Sequence, residues 1–144
     1  MKSIAIINGP NLNLLGIREP ELYGKRGFLH FLEELQAEFG QVAIDYFQSN
    51  IEGELIDHLH RVGFTADAIL FNAGGYTHTS VALRDAVSAI SAPVLEVHLT
   101  QIYARETFRH RSFLSPVCVG SISGLGLEGY RLGLLYFVRQ WETP

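Results

Sequence analysis

The chain begins with an apolar run typical of a buried strand, and a long polar loop follows it. Ser3-Ile-Ala-Ile-Ile7 is followed directly by Asn8-Gly-Pro-Asn-Leu-Asn-Leu-Leu-Gly-Ile-Arg-Glu-Pro-Glu-Leu-Tyr-Gly24. A connection from strand to helix usually needs about 2–6 residues, whereas the helical pattern resumes here near Phe28, roughly 20 residues on. Loops of this length inside a compact domain are typically lids or binding loops. Apolar residues within the loop argue against disorder, so the sequence predicts a lid that carries Arg18 and Tyr23.

Beyond this loop, short apolar runs alternate with helical patterns along the whole chain. The predicted strands are Ser3–Ile7, Val42–Phe47, Ala68–Phe71, Val94–Val97 and Val117–Val119. The predicted helices are Phe28–Phe39, Glu54–Val62, Thr79–Ile90, a short segment at Ala104–Arg109 and a last helix at Leu125–Trp141. Runs that are apolar at nearly every position suit strands buried on both faces of a parallel sheet. The alternation predicts one α/β domain over residues 1–144, a three-layer sandwich whose strands fit the flavodoxin-like order 2-1-3-4-5.

Composition excludes several classes of function. The chain has 144 residues, 47% of them hydrophobic and 18% charged, which is typical of a folded globular protein. A net charge of −4 without basic runs argues against nucleic-acid binding. One cysteine, Cys118, excludes a disulfide framework and indicates a reducing, cytoplasmic location. We find no Cys/His cluster with zinc spacing, no signal peptide and no apolar run near the roughly 20 residues of a membrane span.

Polar residues gather where the predicted strands end. Asn8 and Asn11 follow the first strand, Gln48-Ser-Asn50 the second, and Asn72-Ala-Gly-Gly-Tyr-Thr-His-Thr-Ser80 the third. Glu96-Val-His-Leu-Thr100 closes the fourth. Because the carboxyl ends of parallel strands form one rim, where α/β sheets bind ligands, we expect these side chains to share a site.

Glu96 and His98 are the most suggestive pair on this rim. Residues two apart on a strand face the same side, so the carboxylate can orient the imidazole and favour its protonated form. A general acid needs that arrangement. The alternative is a core histidine satisfied by the backbone. The backbone N–H groups of Leu99 and Thr100 are available to an anion where the strand ends.

Arginines supply the cationic part of the predicted site. Arg105 and Arg109 are four residues apart and are expected to share a helical face. Together with Arg111 they either form a solvated basic face or combine with Arg18 in a pocket for a carboxylate. Nearby cations would also lower the pKa of Tyr23 and make its phenolate available as a base. This set of groups suits proton abstraction beside a carbonyl, followed by acid-assisted loss of a leaving group.

A second motif, Gly124-Leu-Gly-Leu-Glu-Gly129, matches the dinucleotide-binding fingerprint but lacks its context. Too few residues follow for a second strand or for the acidic residue expected about 20 positions on. Close packing of a glycine-rich terminal helix is the better interpretation.

Taken together, five segments resemble type II 3-dehydroquinate dehydratase, in that family's order and spacing. They are Asn8-Gly-Pro-Asn-Leu-Asn-Leu-Leu-Gly with Arg18-Glu-Pro and Tyr23-Gly, Gln48-Ser-Asn-x-Glu-Gly53, Asn72-Ala-Gly-Gly-x-Thr-His-Thr-Ser-x-Ala-Leu-Arg-Asp85, Glu96-Val-His98 and Ala104-Arg-Glu. The resemblance covers essentially the whole chain. It implies dehydration of 3-dehydroquinate to 3-dehydroshikimate in the shikimate pathway, by a stepwise syn elimination through an enolate, without metal or cofactor.

The resemblance also implies residue roles. Tyr23 would be the base, Arg18 would stabilise the tyrosinate, and Asn11 would hold a water on the enolate oxygen. His98, oriented by Glu96, would protonate the departing hydroxyl. The substrate would be bound by Asn72, His78 and Arg109, by the backbone of Leu99 and Thr100, and by Asp85 reaching a neighbouring subunit's site in trimers that associate into dodecamers.

Two other readings remain open at this point. One is a different lyase or isomerase that acts on another small hydroxy-keto acid. The other is a flavodoxin-like module that binds a ligand without catalysis.

Overall fold

A five-stranded sheet forms the centre of the structure, a computed structural model that describes residues 1–17 and 27–143. The strands are β1 (Lys2–Asn8), β2 (Val42–Gln48), β3 (Ala68–Asn72), β4 (Val94–His98) and β5 (Gly120–Ser123). All neighbours pair in parallel, in the order β2-β1-β3-β4-β5. The predicted α/β class and strand order are therefore confirmed. The predicted lid residues Arg18 and Tyr23 lie outside the described residues.

In residues 1–17 and 27–143, four helices cover the two faces of the sheet: α1 (Phe28–Glu38), α2 (Glu52–Val62), α3 (Val81–Ala89) and α4 (Glu128–Glu142). Apolar residues of α1 and α4 form one buried cluster with Ile4 and Ile6 of β1. Those of α2 and α3 form the other with Ala5 and Ile7. Alternate residues of one strand thus enter opposite layers, which gives the three-layer sandwich that the apolar runs predict.

The fifth strand lies three residues later than predicted. Val117–Val119 is not the strand, because Ser115–Val117 forms a 3₁₀ turn with Pro116 in its first positions. The strand begins at Gly120 and reads Gly-Ser-Ile-Ser, half-exposed at the edge of the sheet. An edge strand can be polar because one side of it faces solvent, so the apolar run pointed to the wrong residues.

The segment after β4 is also irregular where a short helix was expected. Ile102–Ala104 and Thr107–Arg109 are separate 3₁₀ turns, and Arg105 between them has an extended backbone (φ −106°, ψ −164°). The prediction that Arg105 and Arg109 share a helical face is therefore wrong.

Glycines let α4 lie close against the sheet. A Cβ on Gly129 would come within 3.3 Å of Val97, and one on Gly133 within 2.8 Å of both Leu70 and Leu95. Gly124 and Gly126, which precede the helix, have positive φ angles of 92° and 61°. The packing interpretation of this glycine-rich segment is confirmed.

Two further features concern candidate membrane spans and the thiol of Cys118. In the described part of the chain, no helix combines the length and apolarity that a bilayer crossing requires. Cys118 packs against the α2–α3 layer, and burial raises the pKa of its thiol to about 12. The thiol therefore stays protonated at neutral pH, as expected of a small packing residue.

Gly9 is the glycine whose replacement should cost most near the rim. Its N–H donates to the Asn72 carbonyl (2.7 Å), and an added Cβ would lie 2.5 Å from the Ala73 carbonyl oxygen. Since backbone cannot move aside as a side chain can, we expect Gly9→Ala to lower the free energy of unfolding by about 1–3 kcal/mol. Urea-induced unfolding measures this.

Gly53→Ala is the matched control. No atom lies within 4 Å of a Cβ at Gly53, which is the second residue of α2. Alanine favours a helix over glycine by about 0.5–1 kcal/mol, so this variant should be neutral or more stable. Equal stabilities for the two variants would contradict the close approach of Gly9 to Ala73.

Candidate active site

A cleft opens at the carboxyl ends of β1, β3 and β4, where the sequence predicted a site. Its walls come from the first loop, from the turn after β3, and from the 3₁₀ segment after β4. The lining residues are Pro10, Asn11, Leu12, Leu14, Leu15, Asn72, Gly74, Gly75, His78, His98, Leu99, Thr100, Ile102, Arg105 and Arg109.

A buried carboxylate–imidazole pair lies at the end of β4. Glu96 is 1% exposed and His98 is 5% exposed, and Nε2 of His98 lies 2.5 Å from Oε2 of Glu96. The carboxylate accepts, so Nε2 carries a proton. Only Nδ1 is then left to act toward the cleft that His98 lines, and when protonated it is positioned as a general acid. The alternative of a histidine satisfied by backbone is not what the structure shows.

A residue that the sequence analysis missed completes this pair. Ser112 donates its hydroxyl to Oε2 of Glu96 at 2.7 Å. It is sixteen positions from Glu96 and belongs to an irregular segment without a strand or helix period, so sequence spacing gave no signal that the two meet.

His78 lies beside His98, but the hydrogen bond of its ring is made by Nδ1 rather than by Nε2. Its Nδ1 donates to the Arg111 carbonyl at 2.7 Å, and the two imidazole centroids are 6.3 Å apart. Burial lowers the pKa of His78, although the bond to Arg111 works in the other direction. A neutral His78 with its proton on Nδ1 leaves Nε2 as an acceptor for a ligand hydroxyl.

A buried hydrogen-bond chain fixes the amide of Asn72. Its Nδ2 donates to the Tyr130 hydroxyl (3.0 Å), which in turn donates to Oδ1 of Asn8 (2.7 Å). Its Oδ1 accepts from the Gly74 N–H at 3.1 Å. Burial raises the pKa of Tyr130, so its hydroxyl stays protonated. The remaining Nδ2 proton of Asn72 is therefore the group it can offer to the cleft.

Asn11 occupies a strained position at the mouth of the cleft. Its φ of 71° is the one positive value among the described non-glycine residues. Its N–H donates to Oδ1 of Asn50 (2.9 Å), which also accepts from Nε2 of Gln48 at 3.1 Å. Side chains at the end of β2 and just after it thus hold the loop that follows β1, and an asparagine in the left-handed region is typical of functional loops.

Positive charge enters the cleft from the 3₁₀ segment. Arg105 donates to the Thr100 hydroxyl at 3.3 Å, and Nε of Arg109 donates to Glu106 at 3.0 Å. Both guanidinium groups line the cleft despite the absence of the helix that was to align them. Arg105 and Arg109 therefore reach the cleft through loop geometry rather than helical spacing, and their role as a pocket for a carboxylate stays a prediction.

The backbone at Leu99 and Thr100 is held at the rim by the glycine turn before α4. The Gly124 N–H donates to the His98 carbonyl (3.2 Å), the Gly126 N–H to the Leu99 carbonyl (2.9 Å), and the Ser123 hydroxyl to the Thr100 carbonyl (3.2 Å). This fixed backbone lies beside Arg105, where an anionic ligand group would be received.

The structure brings most, but not all, of the predicted site residues together. Asn11, Asn72, His78, His98, Leu99, Thr100 and Arg109 line the cleft, and Glu96 lies behind His98. Asp85 does not; it is exposed on α3. Arg18 and Tyr23 lie outside the described residues. In residues 1–17 and 27–143 no group of three or more His, Cys, Asp or Glu side chains is placed to hold a metal ion.

Comparisons with known proteins agree with this geometry. The family described as "Dehydroquinase class II" matches residues 2–138. A 3-dehydroquinate dehydratase from Exiguobacterium sp. is 50% identical over 141 residues, 97% of each chain. The crystal structure of type II dehydroquinase from Butyrivibrio crossotus superposes with a TM-score of 0.87 at 40% identity, covering 92% of this chain and 94% of that one. The Propionibacterium acnes type II dehydroquinase gives 0.90 at 35% identity, covering 95% and 96%.

With the same order of strands, a polar cleft at their carboxyl ends and a match that spans nearly its whole length, the chain belongs to the class II dehydroquinase family.

Proposed function

We propose that this protein is a hydro-lyase that dehydrates 3-dehydroquinate to 3-dehydroshikimate, a step of the shikimate pathway. The observation that carries the proposal is the buried Glu96–His98 pair, whose free Nδ1 serves a cleft in a chain of the class II dehydroquinase family. The catalytic unit is a single domain over residues 1–144, and it uses no metal or cofactor.

The first step assigned to the site is proton removal beside the ketone. Tyr23, as the phenolate, takes the proton; the C–H electron pair moves into the carbonyl and forms an enolate. Arg18 stabilises the tyrosinate and the developing charge. A water held by Asn11 donates to the enolate oxygen, a contribution of the oxyanion type.

The second step is loss of the tertiary hydroxyl. The enolate electrons form the conjugated carbon–carbon double bond as the carbon–oxygen bond breaks, and Nδ1–H of His98 supplies the proton that makes the leaving group water. Glu96 offsets the charge of the imidazolium before transfer. After transfer His98 is neutral, with its remaining proton on Nε2.

The rest of the cleft binds the substrate. The neutral His78 accepts from a ring hydroxyl, and the free Nδ2 proton of Asn72 donates to one. Arg109 contributes both charge and hydrogen-bond donors. The substrate carboxylate lies against the backbone N–H groups of Leu99 and Thr100, which are braced by the glycine turn.

We propose an anti course for the elimination in place of the syn course that the resemblance implies. The proposed base lies in the segment after β1, whereas the proposed acid lies on β4. Because the two are separate residues, they can approach the ring from different sides, and the proton and the hydroxyl then leave from opposite faces.

Assembly and location are proposed with the activity. Asp85, exposed on α3, is assigned to the site of a neighbouring subunit in trimers that associate into a dodecamer. A reducing compartment, the cytoplasm, suits a chain with a single, partly buried cysteine. The two other readings, another hydroxy-keto acid lyase or a non-catalytic module, are not favoured by the family match and its named relatives.

Turnover of the named substrate is the direct test. We expect purified protein mixed with 3-dehydroquinate to give a rising ultraviolet absorbance from the conjugated enone. The rate should survive a chelator and borohydride pretreatment, because neither a metal nor a Schiff base takes part. A folded protein that gives no signal would contradict the assigned substrate, and loss of the signal with chelator would contradict the metal-free mechanism.

The two proposed proton-transfer groups should fail in different ways. His98→Ala should slow product formation by about 10²–10⁴-fold, the usual range for a general acid, while exchange of the α-proton with deuterated solvent continues. Tyr23→Phe should lower both processes by a similar factor. Substrate affinity should change little in either variant. NMR of the recovered substrate measures the exchange.

Exposed residues outside the cleft provide matched controls. Tyr103→Phe and His60→Ala remove the same chemical groups from the surface and should leave both rates unchanged. Loss of exchange in His98→Ala would contradict its role as the acid, and a small loss of kcat in Tyr23→Phe would contradict its role as the base.

A further inference from the structure

Ser112 makes an unusual set of hydrogen bonds behind the acid. Its Oγ lies 2.7 Å from Oε2 of Glu96 and also accepts from two backbone N–H groups, those of Leu114 (3.2 Å) and Ser115 (3.0 Å). The loop that follows the 3₁₀ turn Thr107–Arg109 therefore folds around this one hydroxyl, which lies at the end of β4.

Counting protons fixes the direction of the bond to Glu96. A serine hydroxyl has one proton and two lone pairs. Both lone pairs face the N–H donors of Leu114 and Ser115, so the proton goes to Oε2 of Glu96. Two donors, Ser112 and His98, thus converge on one carboxylate oxygen.

The hydrogen-bond partners of Glu96 also favour one charge state of its carboxyl group. Oε1 of Glu96 is buried and has no hydrogen-bond partner in the described part of the chain. A proton on Oε1 would be a buried donor without an acceptor, which is costly. With two donors on Oε2, the ionised carboxylate is the form that the surroundings stabilise, and it is the form that holds the His98 proton on Nε2.

We propose that Ser112 is a positioning residue for catalysis: it keeps Glu96 ionised and in place, so that His98 presents Nδ1 to the leaving hydroxyl. Ser112 does not line the cleft and acts only through Glu96. The proposal rests on the proposed dehydration and identifies the residue that completes its acid.

The test separates the leaving-group step from the rest of the reaction. In Ser112→Ala we expect kcat for 3-dehydroquinate to fall about 10- to 100-fold, the size of a lost hydrogen bond to a charged group. KM should change less than threefold, because substrate contacts are untouched. The ratio of α-proton exchange to product formation should rise above that of the unmodified protein, since only the second step needs the acid.

A double-mutant cycle with Glu96→Gln shows whether Ser112 acts through the carboxylate. If it does, Ser112→Ala should add less than a twofold loss of kcat once Glu96 is already Gln. Multiplicative losses, or an unchanged exchange ratio in the single variant, would overturn the proposal and leave Ser112 a merely structural role.

Further variants keep the test decisive if the alanine variant folds poorly. Ser112→Thr retains the hydroxyl and should retain most activity, whereas Ser112→Cys offers a weak donor of similar size and should show the raised exchange ratio. Ser115→Ala, at an exposed serine of the same loop, should match the unmodified protein. Unmodified protein that fails to turn over 3-dehydroquinate would defeat the proposed function instead, so the two failures are distinguishable.

Discussion

The constraint on which this site depends is the burial of one carboxylate, Glu96, within a strand that is buried along its whole length. A buried charge is tolerated only when it is paired and hydrogen-bonded. The chain meets that requirement with His98 from the same strand and Ser112 from the loop beyond it. Because the bonds that stabilise the buried charge also fix the imidazole, folding and the proposed acid catalysis depend on the same bonds.

The parallel sheet explains why the other cleft residues lie close to His98. β1, β3 and β4 end at one rim, where the Gly9 N–H donates to the Asn72 carbonyl and the strand ends are held in register. Glycines then permit close contact of backbone with backbone at Gly9 and of α4 with the sheet at Gly133. Rigid strand ends carry the acid and Asn72, while loops carry Asn11 and the arginines. A rigid strand end combined with loop-borne charge suits the binding of a small anionic substrate.

How far the sequence predicted this structure differs from element to element. The central strands were predictable because burial on both faces makes them continuously apolar, and the Glu96–His98 pair followed from the two-residue period of β4. The edge strand β5 was placed three residues early, since half-exposed Gly-Ser-Ile-Ser carries no apolar signal. The Arg105–Arg109 helix was wrong because its residues form two 3₁₀ turns. Ser112 was missed because contacts made by irregular loops leave no periodic trace in the sequence.

The proposed acid requires that neutral His98 is held as the Nε2-protonated tautomer, with Nδ1 free for the substrate. Nitrogen-15 NMR of histidine-labelled protein, with the His98 signals assigned by their loss in His98→Ala, shows which ring nitrogen of the neutral imidazole carries the proton. We predict a protonated Nε2, hydrogen-bonded to Glu96, and an unprotonated Nδ1 for this residue. A neutral His98 with its proton on Nδ1 would contradict this prediction, because Nε2 would then have no proton to donate to Glu96.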